Sequence, residues 1–120
     1  MISLVRGNGY YIRATKDHHL YKTNNVGAIR KVIQEVSAIS GFHHSKIMGK
    51  SRVVELIEWR ILVSYICRMN AYGTFNSIGR ELGGLHHSSV LNHFERAQNM
   101  IDCNDRHFMT KYNLIKHLIK

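Results

Sequence analysis

Ile78-Gly-Arg-Glu-Leu-Gly-Gly-Leu-His-His-Ser-Ser-Val-Leu-Asn-His93 is the stretch on which the fold depends. Ile78 and Leu82 are four apart and share a helical face. Gly83-Gly84 then stops that helix, because glycine takes up the left-handed backbone of a C-cap without steric cost. Ser88 and Ser89 open a second run, in which Val90, Leu91, Phe94 and Ala97 recur at helical spacing. Two helices about a glycine turn make a helix-turn-helix, whose second helix enters a DNA major groove with its N-terminal residues leading. Those residues are His86, His87, Ser88 and Ser89, all short and all able to donate hydrogen bonds. The two serines also suit a helix cap.

Working outward, the spacing predicts an all-α domain of about five to six helices over residues 25–120. Asn25 is the expected N-cap of a helix to about Ser40, with Ile29, Val32, Ile33, Val36 and Ile39 buried and Gly41 at its end. Phe42 to Lys46 reads as a connection, Ile47-Met48 as a short turn and Lys50-Ser51-Arg52 as a basic loop. A long helix is expected from about Val54 to Asn70, with Leu56, Trp59, Leu62, Val63, Ile66 and Met69 inward. Trp59 reads either as a core anchor or as a partly exposed aromatic at a partner surface. Thr74 is placed to cap the first helix of the motif. The recognition helix is expected over about His87 to Ile101 and a closing helix over about Asn104 to Ile119. The aromatics Tyr65, Tyr72, Phe75, Phe94, Phe108 and Tyr112 fall at core spacing.

Residues 1–24 differ in character. Ile2 to Val5 and Tyr10 to Ile12 flank Gly7-Asn8-Gly9, the pattern of a short hairpin. Arg6, Arg13, Lys16 and Lys22 face only Asp17, so this extension also suits a basic arm that touches phosphate.

Seventeen Lys and Arg against eight Asp and Glu give a net charge of +9, which favours a polyanionic partner. The longest apolar stretch, Ile61 to Cys67, is too short to span a bilayer, and the N-terminus has no signal-peptide pattern. Cys67 and Cys103 fit a reducing compartment as free thiols. A cytoplasmic, nucleoid-associated protein is the expectation.

The run Gly83-Gly84-Leu85-His86-His87-Ser88-Ser89-Val90 resembles the signature of the C-terminal DNA-binding domain of DnaA, the bacterial chromosomal replication initiator. That family carries Gly-Gly-Arg-Asp-His-Ser/Thr-Thr-Val there. Ile47 to Arg52 is similar to the family's short helix entering its basic loop, Arg60 matches an arginine of the next helix, and the likeness covers roughly residues 25–120. No Gly-x-x-x-x-Gly-Lys-Ser/Thr phosphate loop occurs in the sequence. A small stand-alone copy of this kind suits a phage or mobile element.

The resemblance implies a Trp-repressor-like helix-turn-helix that binds double-stranded DNA, in replication or transcription regulation. It implies that Arg52 enters a minor groove, where a narrow A·T-rich tract concentrates negative potential. It makes Lys50 and Arg60 phosphate contacts and sets Arg68 against the opposite groove wall. His87, Ser88 and Ser89 match the family's reading residues. Two positions depart from it. His86 stands where the family has an aspartate, so a donor suited to guanine replaces an acceptor suited to cytosine. Leu85 replaces a basic residue and offers only apolar contact, for instance to a thymine methyl. Glu55 and Glu58 also dilute the basic loop.

Neither enzyme activity nor a cofactor is expected. The pairs His18-His19, His43-His44 and His86-His87 are adjacent, which sends two rings in different directions, and no Cys-x-x-Cys supports Cys103 and His107 as zinc ligands. His86-His87 with Asn92-His93 lies on or beside one helix, unlike the strand-loop-helix of histidine-asparagine-histidine nucleases. The alternative is a protein-interaction module that keeps the fold and has lost base reading, with Leu85, Val53, Val54 and Trp59 as an apolar docking patch.

Overall fold

A computed structural model describes residues 25–120, and the hairpin or arm expected of residues 1–24 lies outside them. The described residues form six α-helices and no strand: α1 Val26–Ser40, α2 His44–Ile47, α3 Val54–Met69, α4 Phe75–Glu81, α5 His87–Asp102 and α6 Arg106–Ile115, followed by a 3-10 turn Lys116–Leu118. The all-α helix-turn-helix bundle expected from the spacing is the observed fold.

α3 is the axis. Every residue from Trp59 to Cys67 is buried, so this helix is covered on all sides rather than on one stripe. It packs against α5 on one side and α1 on another, and α4 crosses α5. Trp59 is 4% exposed and therefore a core anchor, although its indole N–H finds no partner among the described residues. Tyr65, Phe94 and Phe108 are buried, while Tyr72, Phe75 and Tyr112 are half-buried against the same core. Burial raises the pKa of the Cys67 thiol and keeps it uncharged, whereas Cys103 is exposed.

The helix ends follow local chemistry. Asn25 caps α1 by accepting from the Ala28 N–H at 3.0 Å, and Gly41 closes it at φ +82°. α2 begins earlier than the expected turn at Ile47-Met48, because the His43 ring caps it: Nδ1 accepts from the Ser45 N–H at 3.2 Å. The closing helix is shorter than expected. Asn104 sits at φ +56°, Asp105 caps α6 through the Phe108 N–H at 2.9 Å, and the last turn tightens to 3-10. The chain end is tied to the end of α3 by Asn70, which donates to the Leu118 carbonyl at 2.9 Å and accepts from the Lys120 N–H at 2.8 Å.

Candidate nucleic-acid interface

The turn between α4 and α5 is built from backbone. Thr74 caps α4 as expected, its hydroxyl accepting from the Ser77 N–H at 3.1 Å. Gly79 is buried, and its carbonyl receives the N–H groups of Gly84 at 3.1 Å and Leu85 at 2.9 Å. A Cβ at Gly79 would run into the Leu85 carbonyl and crowd Val90, so glycine there is what lets the turn fold back onto α4. Gly83 and Gly84 hold φ +86° and +87°. A Cβ at Gly83 would collide with the Met48 carbonyl, whereas one at Gly84 would meet open space.

α5 is capped by His86, not by a serine. The Ser88 N–H donates to His86 Nδ1 at 3.2 Å, with the Ser88 hydroxyl 2.7 Å from the same atom. A backbone N–H can only donate, so Nδ1 supplies the lone pair in this bond and leaves Nε2 as the ring's donor. His86 is thereby held as a donor with its N–H on the far side of the ring. The His87 ring lies against it, centroids 4.2 Å apart, so adjacency in sequence does not part these rings as expected, and His43 and His44 lie together in the same way. His86, His87 and Ser88 are exposed, Ser89 is half-buried, and Leu85 is half-buried against the core.

The basic loop leaves Lys50, Ser51 and Arg52 exposed. Beneath it lies Arg60, and its placement does not fit the expected phosphate contact. Arg60 is 5% exposed. Its Nε donates to the Ile47 carbonyl at 2.7 Å, Nη1 to Ser51 at 2.5 Å and Nη2 to Lys46 at 3.0 Å. The reason is the flanking sequence: Trp59 and Ile61 to Cys67 bury that turn of α3, and a buried guanidinium must be satisfied. Burial lowers its pKa, but three carbonyls stabilise the charged form. The close approach of Gly83 to the Met48 carbonyl sets the root of this loop beside the α4–α5 turn. Arg68 lies at the other end of α3, its guanidinium carbon 4.4 Å above the Phe75 ring and Nη1 3.4 Å from the Gly73 carbonyl.

Two features escaped sequence reading. Glu55, Glu58 and His107 bring ligand atoms within 4.8 Å of one another, the geometry of a possible cation site. The Lys111 ammonium already sits there, 2.9 Å from Glu58 and 3.2 Å from Glu55, with His107 Nε2 3.4 Å away. Burial alone would lower the Lys111 pKa, but its bonds to Glu58 and Glu55 outweigh that and raise it. The group is an ion-pair clamp between α3 and α6. His93, on the inner side of α5, lies 3.4 Å from the Ser64 hydroxyl; burial, then the charges of Arg96 and Arg60, push its pKa down to about 4. The apolar patch of the alternative reading does not assemble: Trp59 is buried and Leu85 half-buried, leaving Val53 and Val54 at 55% and 65% exposure.

No helix of the described residues is long and apolar enough to cross a membrane. A family model described as the bacterial dnaA protein helix-turn-helix matches residues 29–96. The chain is similar to the chromosomal replication initiator protein DnaA of Spiroplasma citri, 32% identical over 98 residues, which is 81% of this chain and 22% of that protein. No solved structure matches.

Proposed function

The chain belongs to the bacterial DnaA helix-turn-helix family, and from that premise we propose that it binds double-stranded DNA with two neighbouring segments, one for each groove. The start of α5 reads the major groove through His86, His87, Ser88 and Ser89. Arg52 reads an adjacent minor groove, preferring the narrow groove of A·T-rich sequence. Lys50 and Arg68 hold phosphates, and Thr74, at the head of α4, lies near the backbone path. Arg60 serves from beneath, by shaping the loop that carries Arg52. Leu85 contributes mainly to packing of the turn.

The observation that supports this most is the close approach of Gly83 to the Met48 carbonyl, which sets the root of the loop against the turn that leads into the reading helix. Net charge of +9 supplies the long-range attraction. The matched relative is a replication initiator, and the chain spans 22% of its length. DNA marking, competition for initiator sites or transcription control are roles a DNA-binding domain of this kind can fill.

The test is a duplex titration over a range of salt. Lys50→Ala should weaken binding alike on all sequences and flatten the salt slope by about one unit. Arg52→Ala should lose discrimination between A·T-rich and G·C-rich flanks, at roughly 1–3 kcal/mol. Equal losses on both flanks would make Arg52 a phosphate contact only, and no duplex binding at low salt would reject the reading.

A further inference from the structure

The junction between the basic loop and α3 carries an unexplained sacrifice. Val53 is the N-cap of α3, with φ −60° and ψ 129°, and makes no side-chain cap bond. Asn25, His43, Thr74, His86 and Asp105 all cap their helices with a side-chain acceptor. A valine in that place offers the first-turn N–H groups no side-chain acceptor, which a serine or aspartate would supply. Val54 follows as the first helical residue. These two and Leu114 are the only large hydrophobics strongly exposed among the described residues. So the one helix that lacks a side-chain cap among those five and itself also opens on two exposed β-branched residues, immediately after Arg52.

The loop that presents them is not loose. Arg60 grips the carbonyls of Lys46, Ile47 and Ser51, fixing the backbone on the near side of Val53. The Ser51 hydroxyl accepts from the Val53 N–H at 3.3 Å, which sets the last step into the helix. Two exposed apolar side chains thus follow directly on an exposed arginine in a backbone that is held from below.

We propose that Val53 and Val54 form an apolar shoulder that closes on the deoxyribose walls of the minor groove entered by Arg52. This rests on the DNA-binding reading above and assigns it a second kind of contact. A minor groove is lined by sugar C–H groups, and apolar side chains are a recurring means of contact there. The flanking charges decide the occupant. Lys50 and Arg52 precede the pair, so a polyanion with apolar walls fits the segment better than an apolar protein surface, which would bury those cations unpaired. The pair adds contact without adding charge.

Val53→Ser separates this from a structural role. Serine caps the helix, so the melting temperature should rise, by about 4 °C. Affinity for a duplex with an A·T-rich flank should nevertheless fall about tenfold. The fall should be the same at every salt concentration, because no phosphate contact is removed. Val54→Ser should lose affinity in the same manner without the gain in stability. Unchanged affinity in both variants, with the wild type still binding duplex, would overturn the shoulder and leave the two-segment reading standing. A changed salt slope would overturn it as well, since the loss would then be electrostatic. Loss of a wild-type dimer in Val53→Ser, with duplex affinity kept, would assign the pair to a contact between chains instead. Failure of the wild type to bind any duplex would reject the reading on which it rests.

Discussion

The basic loop and the α4–α5 turn lie side by side, yet they are held by opposite means. The loop has no regular structure of its own, and one buried side chain, Arg60, fixes it from below through three carbonyls. The turn has no such pin. Its shape is a property of backbone: two glycines in left-handed conformation and a third, Gly79, that admits a carbonyl where a Cβ would stand. The contrast extends to the two arginines of the loop region. Arg52 and Arg60 are the same residue type in the same short segment, but one is exposed and the other turned inward. Counting basic residues therefore overstates the number of phosphates this surface can neutralise.

The difference can be broken from either side. The largest effect is expected on the turn. Gly83→Ala meets both a left-handed φ and the Met48 carbonyl and should lower stability by about 3–5 kcal/mol. Gly84→Ala meets the φ alone and should cost about 1–2 kcal/mol. Thermal or urea unfolding of the two variants checks this, and equal costs would mean that the contact with Met48 carries no weight. On the loop side, Arg60→Met should cost about 2–4 kcal/mol and weaken binding on every duplex, because three carbonyls lose their donor. A variant with wild-type melting and a flattened salt slope would instead return Arg60 to the phosphate backbone.

How much of this could be read in advance follows the same division. The turn was legible because its determinants are local: Gly83-Gly84, Thr74 and the spacing of Val90, Phe94 and Ala97 need no tertiary partner to be interpreted. Gly79 was visible as a glycine in a short helix but says nothing until the Leu85 carbonyl is found against it. Arg60 was expected at a phosphate because the family resemblance puts an arginine there. The signal to the contrary was present in Trp59 and Ile61 to Cys67, which, Ser64 apart, are too apolar for any face of that helix to stay wet. Lys111 could not be paired with Glu55 and Glu58 from sequence, since only packing brings α6 to α3. The histidine caps were missed because the expected cap residues are serine, threonine, aspartate and asparagine, and Ser88 stood close enough to take the role.

Smaller effects sharpen the comparison. His93 sits on the inner side of α5 with its pKa lowered from 6.5 to about 4 by burial and by the charges of Arg96 and Arg60. The unfolded chain takes up a proton in that interval that the folded chain refuses. Stability from this residue is therefore complete above about pH 6.5 and lost as pH falls towards 4, by an amount on the order of 1–2 kcal/mol after solvent screening. Denaturant unfolding of the wild type and His93→Gln across that range should show the wild type falling more steeply, and parallel curves would contradict it. His86→Asp should change stability least, within about 0.5 kcal/mol, since aspartate also caps a helix. Its effect should appear in the bases selected, because a fixed Nε2 donor is replaced by an acceptor.

Selection of bound duplexes from a random pool tests the two-segment reading most directly. The expected outcome is a short run of fixed base pairs joined to an A·T-rich tract, with the tract lost in Arg52→Ala and the fixed run altered in His86→Asp. A pool that emerges unenriched from binding at low salt, or the same site selected by all three proteins, would contradict it.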